Sequence, residues 1–157
     1  MNVLQKGRRS WIKFEESLTN LILIFIVGLV FFEVIARAVG RPTTWSVGLA
    51  QLLFIWMIFL GSNQALRKGI HVGVDVLTDF FSKKIQARIE IIMHILIAFL
   101  LSFMIYYGME MFFANTGRLV PGTAIKYSYT TLAIPVGCLL MLITTIEKLI
   151  FTFKKEW

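Results

Sequence analysis

Residues 45–66 read WSVGLAQLLFIWMIFLGSNQAL, twenty-two consecutive positions without a charged side chain. At about 1.5 Å of rise per residue, such a run forms a helix of ~33 Å, close to the hydrocarbon thickness of a bilayer. Working outward from it, residues 17–32, 91–109 and 127–146 are also nearly free of charge. Glu33 and Arg37 fall in the last turns of the first run, and Glu90 and Glu110 bracket the third. Backbone amides find no water to bond in lipid, so spanning segments of this kind are helices. The expected fold is an all-α membrane protein with four transmembrane helices, at about 17–39, 45–66, 90–112 and 127–150, in a single domain over residues 1–157.

Composition agrees. Of the 157 residues, 57% are hydrophobic and only 16% charged, and the mean hydropathy is +0.76. A soluble domain of this size needs more polar surface than that, and a disordered chain would be rich in Pro, Ser and Glu rather than Phe, Ile and Leu. The one cysteine, Cys138, rules out a disulfide framework and any multi-cysteine metal site, and reads as a small buried hydrophobe. No internal repeat, low-complexity tract or hydrophilic linker marks a second domain. A basic segment before an apolar run can be a signal peptide, and Ala36-Arg37-Ala38 fits the small-x-small cleavage pattern. The run is longer than a usual signal core, however, and Glu33 would precede the cut, so the first span is expected to be retained.

The net charge of +7 is a matter of sidedness. Lys6, Arg8, Arg9, Lys13, Arg67, Lys68, Lys83, Lys84, Arg88, Lys148, Lys154 and Lys155 fall on one side of the four spans, twelve in all, against Arg37, Arg41, Arg118 and Lys126 on the other. The positive-inside rule puts both termini and the middle loop in the cytoplasm. Trp11, Trp45 and Trp157 fall near span ends, where amphipathic rings anchor, and Tyr106, Tyr107, Tyr127 and Tyr129 fit an outer aromatic belt. Basic residues divided in this way do not indicate nucleic-acid binding. The outer loop 114–126 carries two turn signals, Asn115-Thr116-Gly117 and Pro121-Gly122, and is too short for a receptor domain.

The middle loop has its own pattern. Val74, Leu77, Phe81, Ile85 and Ile89 recur at helical spacing, with Asp75, Asp79, Lys83 and Gln86 on the other face. This predicts an amphipathic interfacial helix over about 74–87, in contact with membrane lipids, its lysines toward anionic headgroups. The alternative is a cytoplasmic extension of the third span.

Ionisable and polar groups inside spans are costly and deserve individual readings. Glu33 and Arg37, at i and i+4 in the favoured order, read as an intramembrane ion pair with Arg37 snorkelling to the headgroups; the functional alternative is a proton-carrying carboxylate. His94 lies one turn after Glu90 and is expected to bond it. The other histidine, His71, lies in a loop, so a bis-histidine haem between spans is excluded. Gln51, Ser62, Asn63 and Gln64 in the second span read as interhelical cross-links rather than a pore lining. Gly61-x-x-x-Ala65 and Ala133-x-x-x-Gly137 permit close helix contact, and Pro135 breaks the regular bonding of the last span. No catalytic set, metal cluster or cofactor site is visible. Two rival classes stay open on these residues alone: a small proton-coupled exporter using Glu33, and the membrane anchor of a redox enzyme.

Trp45-Ser46, Leu49, Leu52-Leu53, Trp56, Phe59-Leu60-Gly61, Ala65-Leu66-Arg67-Lys68 and His71-Val72-Gly73-Val74-Asp75 form an ordered run. It resembles the signature of the DctQ-like small membrane subunit of tripartite ATP-independent periplasmic (TRAP) transporters, in its sialic acid branch more than its C4-dicarboxylate branch, although no single residue decides between them. Arg37 ending the first helix and Pro135 in the last also fit. Family members commonly carry two acidic residues after the Trp, where this chain has Val47-Gly48, so any role of those acids does not carry over; the Tyr that often follows the first-helix arginine is Ala38 here. The resemblance implies an inner-membrane scaffold without a solute pathway. Its expected partners are a large multi-span permease subunit that holds the substrate and sodium sites and a periplasmic substrate-binding protein. Trp45, Trp56, Gly61 and Ala65 are the expected subunit-interface residues, and His71 and Asp75 the residues fixing the start of the interfacial helix, with Asp75 a candidate N-cap.

Overall fold

In the computed structural model, residues 3–68 and 83–156 are described. They form α1 (Val3–Ala38), α2 (Thr44–Lys68), α3 (Lys83–Ala114), the single-turn α4 (Ser128–Thr131) and α5 (Ala133–Glu156). Within these lie four stretches long and apolar enough to cross a membrane: Ser10–Ala38, Thr44–Lys68, Arg88–Ala114 and Ser128–Ile150. Most of the expected interfacial helix, together with His71 and Asp75, lies outside the described residues. Its last positions, 83–87, are the first residues of α3.

α1 packs on α2, α2 on α5, and α5 on α3, while α4 touches α2, α3 and α5. Among the described residues the four long helices therefore stand in a row, α1–α2–α5–α3, rather than in a closed ring. The two inner helices carry most of the buried positions, and the flanks expose their hydrophobes: Ile24, Phe25 and Phe31 on α1, Phe99, Leu100 and Phe103 on α3. This is the surface of a chain whose solvent is lipid or another protein's apolar face.

The turn from α1 to α2 is built by local chemistry. Gly40 adopts φ +76°, its N–H bonds the carbonyl of Arg37 at 3.1 Å, and the Arg41 N–H reaches the Ala36 carbonyl at 2.9 Å. That is a Schellman ending, which needs a residue free to take a left-handed backbone. Pro42 follows and prevents the helix from continuing.

The loop before α4 folds into a small hairpin at the same end of the molecule. Val120 N–H bonds the Ile125 carbonyl at 2.8 Å and Tyr127 N–H the Arg118 carbonyl at 2.9 Å, with Leu119 and Lys126 bridged. The hairpin lies on the start of α2 so closely that a Cβ on Gly48 would sit 2.4 Å from the Pro121 carbonyl oxygen. A Cβ on Gly122, itself at φ +72°, would sit 2.5 Å from the Trp45 nitrogen. Gly48, one of the two positions where the resembled family commonly carries an acid, thus lies where the hairpin leaves no room for a side chain.

Pro135 lies in the first turn of α5, where its missing N–H leaves no intrahelical bond unmade. The break in the last span falls before it, at Leu132 between α4 and α5. Beyond it, Gly137 brings α5 against α2: a Cβ there would lie 2.4 Å from the Phe59 Cβ. Gly108 does the same between α3 and α5, facing Ile134 and Pro135 at 3.0 Å. Ala133 and Cys138 are fully buried in the same packing.

Candidate functional site: two polar clamps and an open face

Two polar clusters join α1 to α2, one near each end of the pair. At the loop end, Glu33 accepts a bond from the Arg37 guanidinium at 3.2 Å. It also accepts the Thr43 backbone N–H at 3.1 Å, the Thr43 hydroxyl at 2.5 Å and the Ser46 hydroxyl at 2.9 Å. The carboxylate therefore caps α2 from outside that helix, where an anion is favoured by the unpaired N–H groups and the helix dipole. The expected i, i+4 pair is present, and Arg37 extends away from the cluster with its side chain 71% exposed.

The other clamp centres on Glu15, which the sequence reading passed over because it precedes the apolar run. α1 is continuous through it, and Glu15 is only 3% exposed. The Asn63 amide donates to its carboxylate at 2.8 Å, and Arg67 forms a close ion pair with the same group. Gln64 donates to Thr19 Oγ1 at 2.7 Å and to the Glu15 carbonyl at 3.3 Å. The Thr144 hydroxyl of α5 donates to Asn63 Oδ1 at 2.8 Å, so the cluster ties three helices together. Nearer the surface, Lys68 and Glu16 pair at 3.1 Å. Asn63 and Gln64 are thus interhelical cross-links. Their acidic partner lies 48 or more residues away in sequence, which no local pattern announces.

The four expected interface residues are not brought together. The Trp45 ring lies 5.7 Å from Phe32 of α1, and Trp56 donates its indole N–H to the Tyr129 carbonyl at 3.0 Å. Gly61 has open space where a Cβ would point, and Ala65 is exposed. At 3.6 residues per turn, Trp56 and Ala65 lie about 180° apart on α2. His94 bonds through Nδ1 to the Glu90 backbone carbonyl at 2.7 Å.

Between the ends of α2, exposed positions recur as Val47, Gln51, Phe54, Ile58, Ser62 and Ala65, one stripe at helical spacing. Its first half walls a cleft of about 520 Å³ between α1 and α2, closed at the loop end by Glu33 and Arg37. No group of three or more metal-ligating side chains occurs among the described residues.

Four apolar spans in a row, polar groups at the ends of the pair and a bare helix face describe a multi-pass membrane protein. Residues 26–155 match the family of tripartite ATP-independent periplasmic transporters, DctQ component, and the chain belongs to that family, a component of transporters of the inner membrane. The chain is similar to the sialic acid TRAP transporter permease protein SiaT of Haemophilus influenzae, 29% identical over 90% of this chain but only 23% of that protein. It is 26% identical to the sialic acid TRAP transporter small permease protein SiaQ of Vibrio cholerae, over 86% of this chain and 79% of that one. A shorter match, 41% identical over 46 residues, is to the C4-dicarboxylate TRAP transporter small permease protein DctQ of Pseudomonas aeruginosa, covering 29% of this chain and 22% of that one. The chain thus spans about a quarter or less of two of these relatives and most of the third.

Proposed function

We propose that this chain is the small scaffold subunit of a sodium-coupled TRAP transporter for an organic acid, with sialic acid the first candidate substrate and a C4-dicarboxylate the second. Both termini lie in the cytoplasm, as the bias of basic residues requires. The chain holds a large permease subunit in place and carries no solute path itself; a periplasmic binding protein delivers substrate to the assembled pair. The order of substrates follows coverage: relatives named for sialic acid match 90% and 86% of the chain, the one named for C4-dicarboxylate 29%. Partnership with a large permease is supported by the Haemophilus relative, in which the matching segment is part of a permease protein several times its length.

The observation that carries the scaffold reading is the use made of the intramembrane charges. Glu15 and Glu33 are each committed to several bonds that fasten α1 to α2. A carboxylate that shuttles protons must exchange partners during a cycle. These are instead held at helix junctions, and the stretch between them is lined by Ile26, Leu29, Val30 and Phe54.

Reconstitution tests the reading. Liposomes holding this chain together with its large permease and binding protein should take up labelled sialic acid when an inward sodium gradient is imposed, and the large permease alone should assemble poorly. Transport by this chain alone, abolished by Glu33→Gln, would replace the scaffold with an exporter.

A further inference from the structure

Gln51 is the least comfortable residue on α2. It lies seven positions after Thr44, the first residue of the helix, hence about 10 Å inside its loop end and within the apolar span. It is exposed, and its amide makes no hydrogen bond to any described residue. Thr130, facing the neighbouring side of α2, is 3% exposed with a hydroxyl that likewise has no partner among the described residues. Gln51 lines two cavities: the apolar cleft against α1, and a second of about 290 Å³ that it shares with Thr130, Tyr127 and Gly48.

An amide at that depth is costly in hydrocarbon unless something bonds it. Lipid tails fill a cleft but offer no donor or acceptor, and headgroups remain at the interface. The occupant that satisfies both the apolar walls and the amide is a transmembrane protein segment with a hydrogen-bonding side chain at matching depth. We propose that the stripe Val47, Gln51, Phe54 and Ile58 is the docking face for a transmembrane helix of the large permease subunit, and that the Gln51 amide receives a polar side chain from that helix. This rests on the scaffold reading and specifies its contact surface. Gly61 and Ala65 continue the same stripe one to two turns further along, so the helix has room for close approach there.

The test uses the complex formed in membranes by the full chain and its large permease. A photoreactive p-benzoylphenylalanine placed at Phe54 should cross-link to the large subunit on illumination, while the same group at Phe99, on the flank of α3, should not. Gln51→Leu should lower recovery of the large subunit about three- to tenfold, the range of one interhelical hydrogen bond, and Gln51→Asn should restore part of it. Folding is read separately from thermal unfolding of the chain alone in detergent. There Gln51→Leu should be neutral or stabilising, since it removes an unpaired amide. Lipid adducts alone at position 54, cross-linking from Phe99 instead, or unchanged recovery with Gln51→Leu would overturn the docking face while leaving the scaffold reading intact. Failure of the unsubstituted chain to retain the large subunit would overturn both.

Discussion

α1 and α5 both pack on α2, and they do so with a different balance of chemistry. In the span of α1 only 6% of the apolar window is buried, against 44% in the span Ser128–Ile150 that α4 and α5 form. α1 is fastened by charge and hydrogen bonds at two points, with a cleft between them. α5 meets α2 through close packing near its start, at Gly137 against Phe59, with the Thr144–Asn63 hydrogen bond further along, and Gly108 of α3 packs on its Pro135 in the same way. The difference follows from what drives association in lipid. Apolar contact has no hydrophobic gain to draw on there, so helices join either by close van der Waals packing or by polar bonds. α5 relies mainly on the first, with one hydrogen bond added, and α1 on the second, which leaves the cleft side of α2 available for a third party.

The sharpest way to break this contrast is to remove the acid at the terminal clamp. Glu15→Leu strips the buried counter-charge from Arg67 and an acceptor from Asn63. Loss of one member of a buried pair costs about 3–5 kcal/mol, and α1 should detach while α2, α3 and α5 stay associated. Thermal unfolding in detergent, with a protease site placed in the 39–43 turn, would register both effects. Glu15→Leu combined with Arg67→Met should recover most of the loss, because the orphaned charge goes with it. No recovery would mean that the pair serves something other than the junction.

The second test sets two glycines against each other. Gly137→Leu must push α5 from Phe59, an overpacking cost of about 1–3 kcal/mol or more, seen as a lower unfolding temperature of the chain alone. The same substitution at Gly61 meets open space and should leave that temperature within about a degree while weakening co-purification of the large subunit. If both glycines behave alike in the isolated chain, the distinction between an inward and an outward small-residue pair is wrong.

These contrasts also mark what the sequence discloses. Four spans follow from uncharged runs, because a bilayer imposes one length and one secondary structure. The Glu33–Arg37 pair is legible because both partners share one helix face four residues apart. Thr43 and Ser46 join it only once the Schellman turn has set the angle between α1 and α2. Glu15 is invisible for a different reason: its partners Asn63 and Arg67 are 48 and 52 residues away, and only the crossing of two helices makes them neighbours. Ala133 and Gly137 declare themselves as a small-residue pair, yet nothing local says that Phe59 fills the groove. Trp45 and Trp56 carry the family pattern without its geometry, since motif spacing is silent on which side of a helix a neighbour will take.

A milder test asks whether the loop-end clamp is as demanding as the terminal one. Glu33→Gln keeps an oxygen acceptor but removes the charge that strengthens the bonds from Thr43, Ser46 and Arg37. Arg37 is exposed and can turn to headgroups instead of remaining an orphan. The unfolding temperature should therefore fall less than for Glu15→Leu, and transport by the assembled complex should persist. Loss of transport without loss of assembly would restore the proton-coupling role for Glu33.

The smallest expected effect concerns a single polar bond on the α5 side of α2, at the middle of that helix. Trp56 donates its indole N–H to the Tyr129 carbonyl, a group α4 leaves without an intrahelical partner because the helix breaks at Leu132. Trp56→Phe keeps most of the ring's packing and removes the donor, so the loss is that of a single interhelical hydrogen bond, about 0.5–1 kcal/mol. Unfolding temperature should fall by a few degrees at most, with recovery of the large subunit unchanged, since Trp56 faces α4 and not the open stripe. A larger effect on recovery than on unfolding would move the partner's contact from the Gln51 face to the tryptophan side of α2.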